Sequence, residues 1–245
     1  MADVPMLATA PRGDVVAWRG RVLASRCLSA DELRDHYLPL RYDVLHSELH
    51  WTIGDVHGPL GLHDAHDRVS FAHGVFADGD GLIAAARLIL PADARALPSM
   101  RLLSTHRHRP RFPGPVAEIS RVIVRPECRK LGLFRVLLMS SLRLAQAAAV
   151  RSLLITERDD ARLARSMANS GFARYADGFS FADETIAPQE PAATYVLDVQ
   201  TNLDEAMLAA IAVQLETLLR AAEGLLTARR QSSRPPQVLA DSSND

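Results

Sequence analysis

One stretch of the chain, residues 116–134, joins a strand pattern to a helix pattern through a basic loop. The run Val116–Val124 is rich in β-branched residues, which predicts a strand. The loop Arg129–Gly132 follows, and an apolar helix pattern begins near Phe134. The free N–H groups and the dipole at the start of a helix attract anions. This order of elements therefore predicts a site for a phosphate-bearing ligand.

Two charged residues, Glu118 and Arg121, interrupt the apolar strand. On a regular strand, residues three positions apart point to opposite faces of the sheet. The two side chains can share one pocket only if a β-bulge intervenes, and bulges occur next to active sites. We therefore expect a bulge between Glu118 and Val122.

Composition narrows the classes of function. A net charge of -1 over 245 residues provides no global attraction to nucleic acid, and no apolar stretch is long enough to cross a bilayer. The two cysteines, Cys27 and Cys128, argue against a disulfide framework and a structural zinc site. Residues 1–13 lack the pattern of a signal peptide, so we expect a cytoplasmic protein.

The order of the patterns predicts a mixed α/β sheet flanked by helices. Ser29 and Glu32 form a capping-box pattern that starts a helix, and residues 78–81 form a hairpin signal between two strand patterns. A strand–helix–strand–helix–strand pattern then follows. The predicted organisation is a flexible arm over 1–14, one domain over 15–200, a C-terminal helix over 201–230 and a disordered tail over 231–245.

Three features have two interpretations each. Residues 63–67, His-Asp-Ala-His-Asp, could hold a metal or form a polar loop at the mouth of a site, and we favour the loop. The basic segment Arg101–Arg111 is either a solvated loop or a docking patch for an acidic partner. Arg41 lies within the apolar stripe of the first helix, where it either extends to solvent or contacts an anion.

A resemblance to a known family adds to this interpretation. Val124-x-Pro126-x-x-Arg129-x-x-Gly132 resembles the acyl-donor loop of the GNAT N-acyltransferases, and the later Gly171-Phe172 is similar to their helix-to-strand pattern. The resemblance implies a GNAT-like, mostly antiparallel twisted sheet, with an added C-terminal helix here. It also implies a loop whose backbone N–H groups hold the phosphates of a pantetheine-bearing donor. The implied donor-binding residues are Val122, Val124, Arg129, Lys130, Leu131, Gly132 and Phe134.

Further motifs resemble one branch of that family, the acyl-homoserine-lactone (autoinducer) synthases and the N-acyl amino acid synthases. The motifs are Arg41 followed by Trp51, the acids Asp64 and Asp67, Arg87-Leu88-x-x-Pro91, Pro98-x-Met100 and Glu118-x-Ser120-Arg121. The chain departs from the pattern at Leu62, where the family has an acid, and at His66, where it has tyrosine. These departures argue against S-adenosylmethionine as acceptor. Phe134 replaces the usual Gly or Ala, which favours a carrier-protein donor over coenzyme A.

The resemblance implies an enzyme that transfers an acyl group from a thioester to an amine. Glu118 is the implied general base, with Asp67 as the second candidate, and backbone N–H groups near Val122 would stabilise the oxyanion. Arg121 belongs to the same catalytic set. The implied acceptor-binding residues are Arg41, Trp51, Asp64 and Arg87. For each arginine, the alternative is a structural salt-bridge network beneath the site.

No metal and no tightly bound cofactor are expected. The co-substrate is an acyl-phosphopantetheine thioester, carried by acyl carrier protein or by coenzyme A, and Arg101–Arg111 is the candidate docking patch for the carrier protein. Two other functions remain open: an acetyl-CoA-dependent acetyltransferase and a non-catalytic acyl-binding module. The predicted C-terminal helix is either a dimer contact or a packing face, and we favour packing.

Overall fold

The computed structural model describes residues 14–18, 21–51, 64–77, 80–105, 110–180 and 191–199. Eight strands form one sheet in the order β1-β2-β3-β4-β5-β6-β8-β7. They are β1 (Asp14–Trp18), β2 (Arg21–Cys27), β3 (Ser70–Ala77), β4 (Gly81–Ile89), β5 (Val116–Val124), β6 (Ser152–Arg158), β7 (Ala173–Ser180) and β8 (Pro191–Asp198). All neighbouring pairs are antiparallel except β5 and β6, which are parallel. The predicted mixed, mostly antiparallel sheet is confirmed.

Within the described ranges, four α- or π-helical elements accompany the sheet. A helical run over 30–48, which we call α1, alternates α-helical segments (Ala30–Glu32 and Leu38–Arg41) with π-helical segments (Leu33–Tyr37 and Tyr42–Glu48). The others are α2 (Pro98–Thr105), α3 (Leu133–Ala147) and α4 (Ala161–Asn169). The predicted capping box at the start of α1 is present, with Ser29 and Glu32 each bonded to the other's backbone N–H.

The two faces of the sheet carry different layers. On one face, α3 packs against alternate residues of the central strands, and Leu137 of the helix meets Leu88, Ile119 and Ile155 in the largest apolar cluster. On the opposite face, α1 packs on Leu82, Ala85 and Ile123 in a second cluster. A third cluster around Ile89 and Met100 joins the start of α2 to the same face. The charged motif residues of β4 and β5 lie on this second face, between α1 and α2.

Strand β5 contains the bulge that the sequence predicts. Its pairing with β4 shifts between Ala85↔Ile123 and Arg87↔Ser120, so that Arg121 and Val122 lie opposite Ala86 alone. Arg121 takes a left-handed backbone conformation, with φ of 51°. Because the extra residue resets the alternation, Ser120 and Arg121 both point to the α1 face, while Val122 packs against the α3 core.

The sheet also opens beside this bulge. Parallel pairing of β5 with β6 runs only from Val116↔Ser152 to Ile119↔Ile155. Beyond that point β5 continues to pair with β4, and β6 continues to pair with β8 as far as Arg158↔Ala192. The two strands therefore diverge into a cleft that begins next to Glu118.

Several predictions fall on residues outside the described ranges. These are the arm, apart from Asp14 at the start of β1, the C-terminal helix over 201–230, the tail over 231–245, and Leu62 and His63. The interpretation of Arg101–Arg111 as a loop is wrong for its first five residues, which belong to α2. Pro98 opens this helix because proline is well tolerated in a first helical turn, where its missing N–H costs nothing. In the part of the chain that is described, no helix is both long and apolar enough to span a membrane.

Candidate active site

Five charged side chains from four separate parts of the chain meet on the α1 face. Arg41 donates from Nη1 to both carboxylate oxygens of Asp67, at 3.1 and 3.2 Å, and from Nη2 to Asp64 Oδ2 at 2.9 Å. Arg87 donates from Nη1 to Asp64 and to Asp67, each at 2.6 Å, and from Nε to Ser120 Oγ at 3.0 Å. Arg121 donates to Asp64 Oδ2 at 3.3 Å. We call these five residues the charged cluster.

Local structure fixes the two acids of the charged cluster. Asp64 caps the short 3-10 helix Ala65–Val69 and accepts from the N–H of His66 at 2.9 Å. Asp67 returns a bond to the N–H of Asp64 at 2.8 Å, which completes a capping box. Backbone N–H groups thus orient both carboxylates in addition to the arginines.

Electrostatics keep these acids ionised. Burial alone would raise the pKa of Asp64, but the charges of Arg87, Arg121 and Arg41 outweigh that effect and hold the pKa below its usual range. The pKa of Asp67 is also lowered, because Arg41 and Arg87 together outweigh burial. A carboxylate with a depressed pKa is a weak base, which disfavours Asp67 as the proton acceptor.

Glu118 has the opposite environment. Its side chain is 3% exposed, and burial raises its pKa to about 7 against the opposing effects of the Ser99 N–H, Arg87 and Arg121. Glu118 Oε2 accepts from the backbone N–H of Ser99 at 2.9 Å, in the first turn of α2. A base with a pKa near neutrality is well matched to removing a proton from an amine.

Sequence reasoning missed the polar residues that surround this base. The Ser99 hydroxyl is 2.6 Å from the Thr156 hydroxyl, which is 2.8 Å from that of Thr194. The chain of hydroxyls links α2, β6 and β8 at the opening of the cleft. The only signal in the sequence was the position of Ser99 within Pro98-x-Met100.

The segment predicted to bind the donor, Arg129–Gly132, follows the C-terminal end of β5, and we call it the donor loop. Gly132 takes a left-handed conformation, with φ of 78°, immediately before α3, and no side chain caps the helix start. Lys130 is also left-handed, with φ of 66°. The first turn of α3 therefore presents uncapped backbone N–H groups beside a basic loop, as an anion site requires.

The arginine of this loop already has an anionic partner. Arg129 forms a two-armed ion pair with Glu48, at the end of α1, in which Nη2 and Oε2 are 2.6 Å apart. Arg129 Nε also donates to the carbonyl oxygen of Val124 at 3.3 Å. Sequence reasoning did not identify Glu48, because the contact spans 81 positions.

The remaining predicted residues have packing roles in the structure. Trp51 is half-buried in the apolar cluster under α1 and is not bonded to the charged cluster. Leu131 and Phe134 pack against the α3 core, as do Val122 and Val124. Val122 lies at the bulge, where it shares the position opposite Ala86 with Arg121, and its N–H remains the group predicted for the oxyanion contact.

Within the described ranges, no three His, Cys, Asp or Glu side chains are grouped so that they could hold a metal ion. Asp64 and Asp67 of the predicted polar loop face arginines instead, while His63 is outside those ranges. The arrangement thus places a buried carboxyl group with a pKa near neutrality, the charged cluster and an uncapped helix start along one strand. Such a site can deprotonate a nucleophile next to a phosphate-bearing ligand.

Comparison by sequence finds no matching family model and no matching curated protein. Comparison with solved structures finds FeeM, an N-acyl amino acid synthase from uncultured soil microbes, with a TM-score of 0.54 and 17% identity over 74% of this chain and 93% of that one. BjaI, a CoA-dependent acyl-homoserine lactone synthase solved with SAM and isopentyl-CoA, gives 0.55 and 16% over 76% and 83%. A putative acetyltransferase from Acinetobacter baylyi ADP1 gives 0.55 and 16% over 75% and 97%.

At identities this low, the structural similarity establishes the fold alone. The similarity extends over most of each chain. The protein thus has a GNAT-like acyltransferase fold, and it resembles the N-acyl amino acid synthase FeeM and acyl-homoserine lactone synthases such as BjaI.

Proposed function

We propose that the protein transfers a fatty acyl group from a pantetheine thioester to the amine of an amino acid or a related small molecule. The donor is an acyl carrier protein or coenzyme A, and the product is an N-acyl amino acid or an N-acyl homoserine lactone. One observation carries the proposal: the bulge in β5 turns Arg121 to the face of Glu118, at the opening of the cleft.

In the proposed reaction, the phosphate of the donor binds the uncapped N–H groups at the start of α3, with Arg129 and Lys130 beside it. The pantetheine arm lies in the cleft between β5 and β6, which brings the thioester carbonyl to the bulge. The charged cluster holds the acceptor on the α1 face. Two reactants fixed in this way react as if in one molecule, which supplies much of the rate.

Glu118 accepts a proton from the ammonium group of the acceptor, directly or through one water molecule, and the neutral amine attacks the thioester carbonyl. A C–N bond forms, and the N–H of Val122 donates to the developing oxyanion. When the tetrahedral intermediate collapses, the C–S bond breaks and the electron pair leaves with sulfur. The thiolate then takes up the second amine proton, so that the products are an amide and a free thiol.

Mass spectrometry of lipid extracts tests the proposal. Cells expressing the protein are compared with cells expressing Glu118→Gln, and we expect an N-acyl compound that only the first extract contains. An N-acyl amino acid and an N-acyl homoserine lactone differ in mass, so the same experiment identifies the product class. Identical extracts would contradict the proposal.

A donor competition assay separates this function from simple acetyl transfer. Purified protein receives an equimolar mixture of acetyl-CoA and longer straight-chain acyl-CoA thioesters, with a mixture of amino acids as acceptor. We expect the longer chains to be consumed first. Preferential use of acetyl-CoA would favour an acetyltransferase, and donor binding without turnover would favour an acyl-binding module.

A further inference from the structure

Three hydroxyl groups form a chain that leads to the candidate base. Ser99 Oγ, in the first turn of α2, lies 2.6 Å from Thr156 Oγ1 on β6, which lies 2.8 Å from Thr194 Oγ1 on β8. Ser99 also donates to Glu118, through its backbone N–H at 2.9 Å and through its hydroxyl. Three separate elements of the fold are thus connected to one carboxyl group. We call Ser99, Thr156 and Thr194 the hydroxyl chain.

The hydrogen atoms of the hydroxyl chain are all satisfied in only one direction. Each hydroxyl donates a single hydrogen, so the chain runs either toward Glu118 or away from it. In the first direction, Thr194 donates to Thr156 and Thr156 to Ser99, whose own hydrogen is left for the carboxylate. In the other direction, the hydrogen of Thr194 has no acceptor in the described part of the chain. Thr194 is 0% exposed, and an unsatisfied buried donor is costly.

From this geometry we infer that Thr156 and Thr194 are positioning residues, which hold the Ser99 hydroxyl as a donor to Glu118 and so favour the form that accepts a proton. The inference rests on the proposed function only for the role of Glu118 as the base. A hydroxyl that accepts one hydrogen bond donates its own hydrogen more strongly, because successive bonds in a chain polarise one another. A donor to a carboxylate stabilises the ionised form. Thr156 and Thr194 thus act on the base through Ser99.

The surroundings of Glu118 make this donor important. Burial raises the pKa of Glu118 to about 7, against the hydrogen bonds from Ser99 and the charges of Arg87 on β4 and Arg121 on β5. Both arginines also pair with aspartates of the charged cluster, which offsets part of their charge. The register partners of Glu118 on the neighbouring strands are apolar: Ile89 and Leu154. Within the described ranges, Ser99 supplies the hydrogen bonds that Glu118 accepts, so its orientation strongly affects the stability of the carboxylate.

The pH profile of the reaction tests this inference. Wild-type protein, Thr156→Val and Thr194→Val are assayed with straight-chain acyl-CoA donors and the amino acid mixture between pH 5.5 and 9. Valine keeps the shape of threonine but removes the hydroxyl. In Thr156→Val, we expect the midpoint of kcat/KM against pH to rise by about 0.5–1 pH unit, which lowers kcat/KM near pH 6 by about 3- to 10-fold. The rise should be smaller in Thr194→Val, and near pH 9 both variants should approach the wild-type value because Glu118 is then ionised in all three proteins.

Two controls separate this effect from general damage. Thr156→Ser keeps the hydroxyl and should keep the wild-type profile. Ser152→Ala removes a buried hydroxyl from the same face of β6, where it donates to the carbonyl oxygen of Pro113 at 2.9 Å, and it should lower stability without moving the midpoint. If Thr156→Val folds poorly, Thr194→Val still provides the test. An unchanged midpoint in the folded valine variants, or a loss of equal size across the whole pH range, would overturn the inference.

A titration without substrate distinguishes failure of the inference from failure of the proposed function. Infrared difference spectra follow the carboxyl C=O stretch between pH 5 and 9, and Glu118→Gln identifies the band of Glu118. If no amine is acylated but the midpoint of this band rises in Thr156→Val, the role of the hydroxyl chain is supported and the catalytic proposal fails. If amines are acylated but the band titrates alike in the wild type and both valine variants, the role of the hydroxyl chain fails and the acyl transfer remains.

Discussion

The charged cluster and the donor loop lie along the same strand but differ in their exposure to solvent. In the cluster, Arg41 and Arg87 are enclosed, and each bonds both acids. In the loop, the paired side chains of Arg129 and Glu48 are 39% and 35% exposed. The loop leads into the start of α3, whose backbone N–H groups have no side-chain cap. Buried ion pairs are costly to break, whereas exposed pairs contribute little and exchange readily.

This difference suits the two regions to different roles in binding. A rigid cluster suits the recognition of a small acceptor, because each of its donors has a fixed position. An exposed loop suits a donor phosphate, because the phosphate can replace Glu48 on Arg129 at small cost. Substitutions in the two regions should therefore have effects of different size and kind.

The largest effect is expected at the base. Glu118→Gln should lower kcat/KM by roughly 10²- to 10⁴-fold, the usual contribution of a general base, with the KM for the donor unchanged. In the wild type, kcat/KM should rise with pH through about 7, because Glu118 must be ionised to accept a proton. Initial rates between pH 5.5 and 9 measure both. Retained activity in the variant would assign the proton transfer to another group.

The next largest effect concerns stability. Arg87→Gln removes one ion pair from Asp64 and one from Asp67 in the buried cluster. We therefore expect a loss of about 3–5 kcal/mol in the free energy of unfolding. Urea denaturation at pH 7 measures this loss. Arg95→Gln breaks an exposed pair and should change the same quantity by less than about 1 kcal/mol.

The pH dependence of that stability has a definite sign. The folded pKa of Asp64 and of Asp67 is below the unfolded value, so their contribution is present above that value and is lost as the pH falls. Arg87→Gln should therefore lose less stability than the wild type on acidification. Parallel curves for the two proteins would show that Arg87 does not act through these acids.

A smaller effect is expected at the donor loop. Gly132→Ala places a side chain at a φ of 78°, which should cost about 1–2 kcal/mol of stability. It should also raise KM for the donor, because the loop precedes the N–H groups of α3. Gly178→Ala is the matched control, since its φ is 75° and an added Cβ would contact nothing within 4 Å. Equal changes in donor KM for the two variants would exclude a specific role of Gly132.

The smallest effect is expected at the exposed ion pair. Glu48→Gln frees Arg129, so we expect a several-fold lower KM for the donor at low salt and a change in stability below about 1 kcal/mol. The gain should shrink as salt screens the phosphate. Glu32→Gln breaks a similar pair with Arg26 while keeping a capping residue, and should leave donor KM unchanged. An unchanged KM in Glu48→Gln would show that Arg129 does not contact the donor phosphate.

Much of this site could be predicted where the signal was local. A strand ending, a basic loop, a glycine and a helix start in unbroken succession predicted the uncapped helix start after β5, which the structure contains. The bulge followed from two charges three residues apart, since only a bulge brings them to one face. Three motifs with weak individual signals predicted Arg41, Asp64, Asp67 and Arg87, and the structure brings all four residues together.

The sequence was least informative where distant residues decide the environment of a side chain. Trp51 has the motif spacing but packs in the apolar cluster under α1. Glu48 carried no signal, and Ser99 carried only its position within Pro98-x-Met100, because their partners Arg129 and Glu118 are 81 and 19 positions away. The basic residues of Arg101–Arg111 indicate a loop, but residues 101–105 belong to helix α2, which packs on Ile89 and Leu154.

By itself, the sequence determined the elements, the bulge and the donor loop, because backbone preference, alternation and glycine conformation act over a few residues. Only the tertiary structure decided which ions are buried and which are exposed. The pKa of Glu118 depends on enclosure by α2, and the single bond of Arg121 to Asp64 depends on how Arg41 and Arg87 divide the two aspartates. Burial and charge pairing are properties of the assembled fold, since they depend on groups that are brought together only when the chain folds.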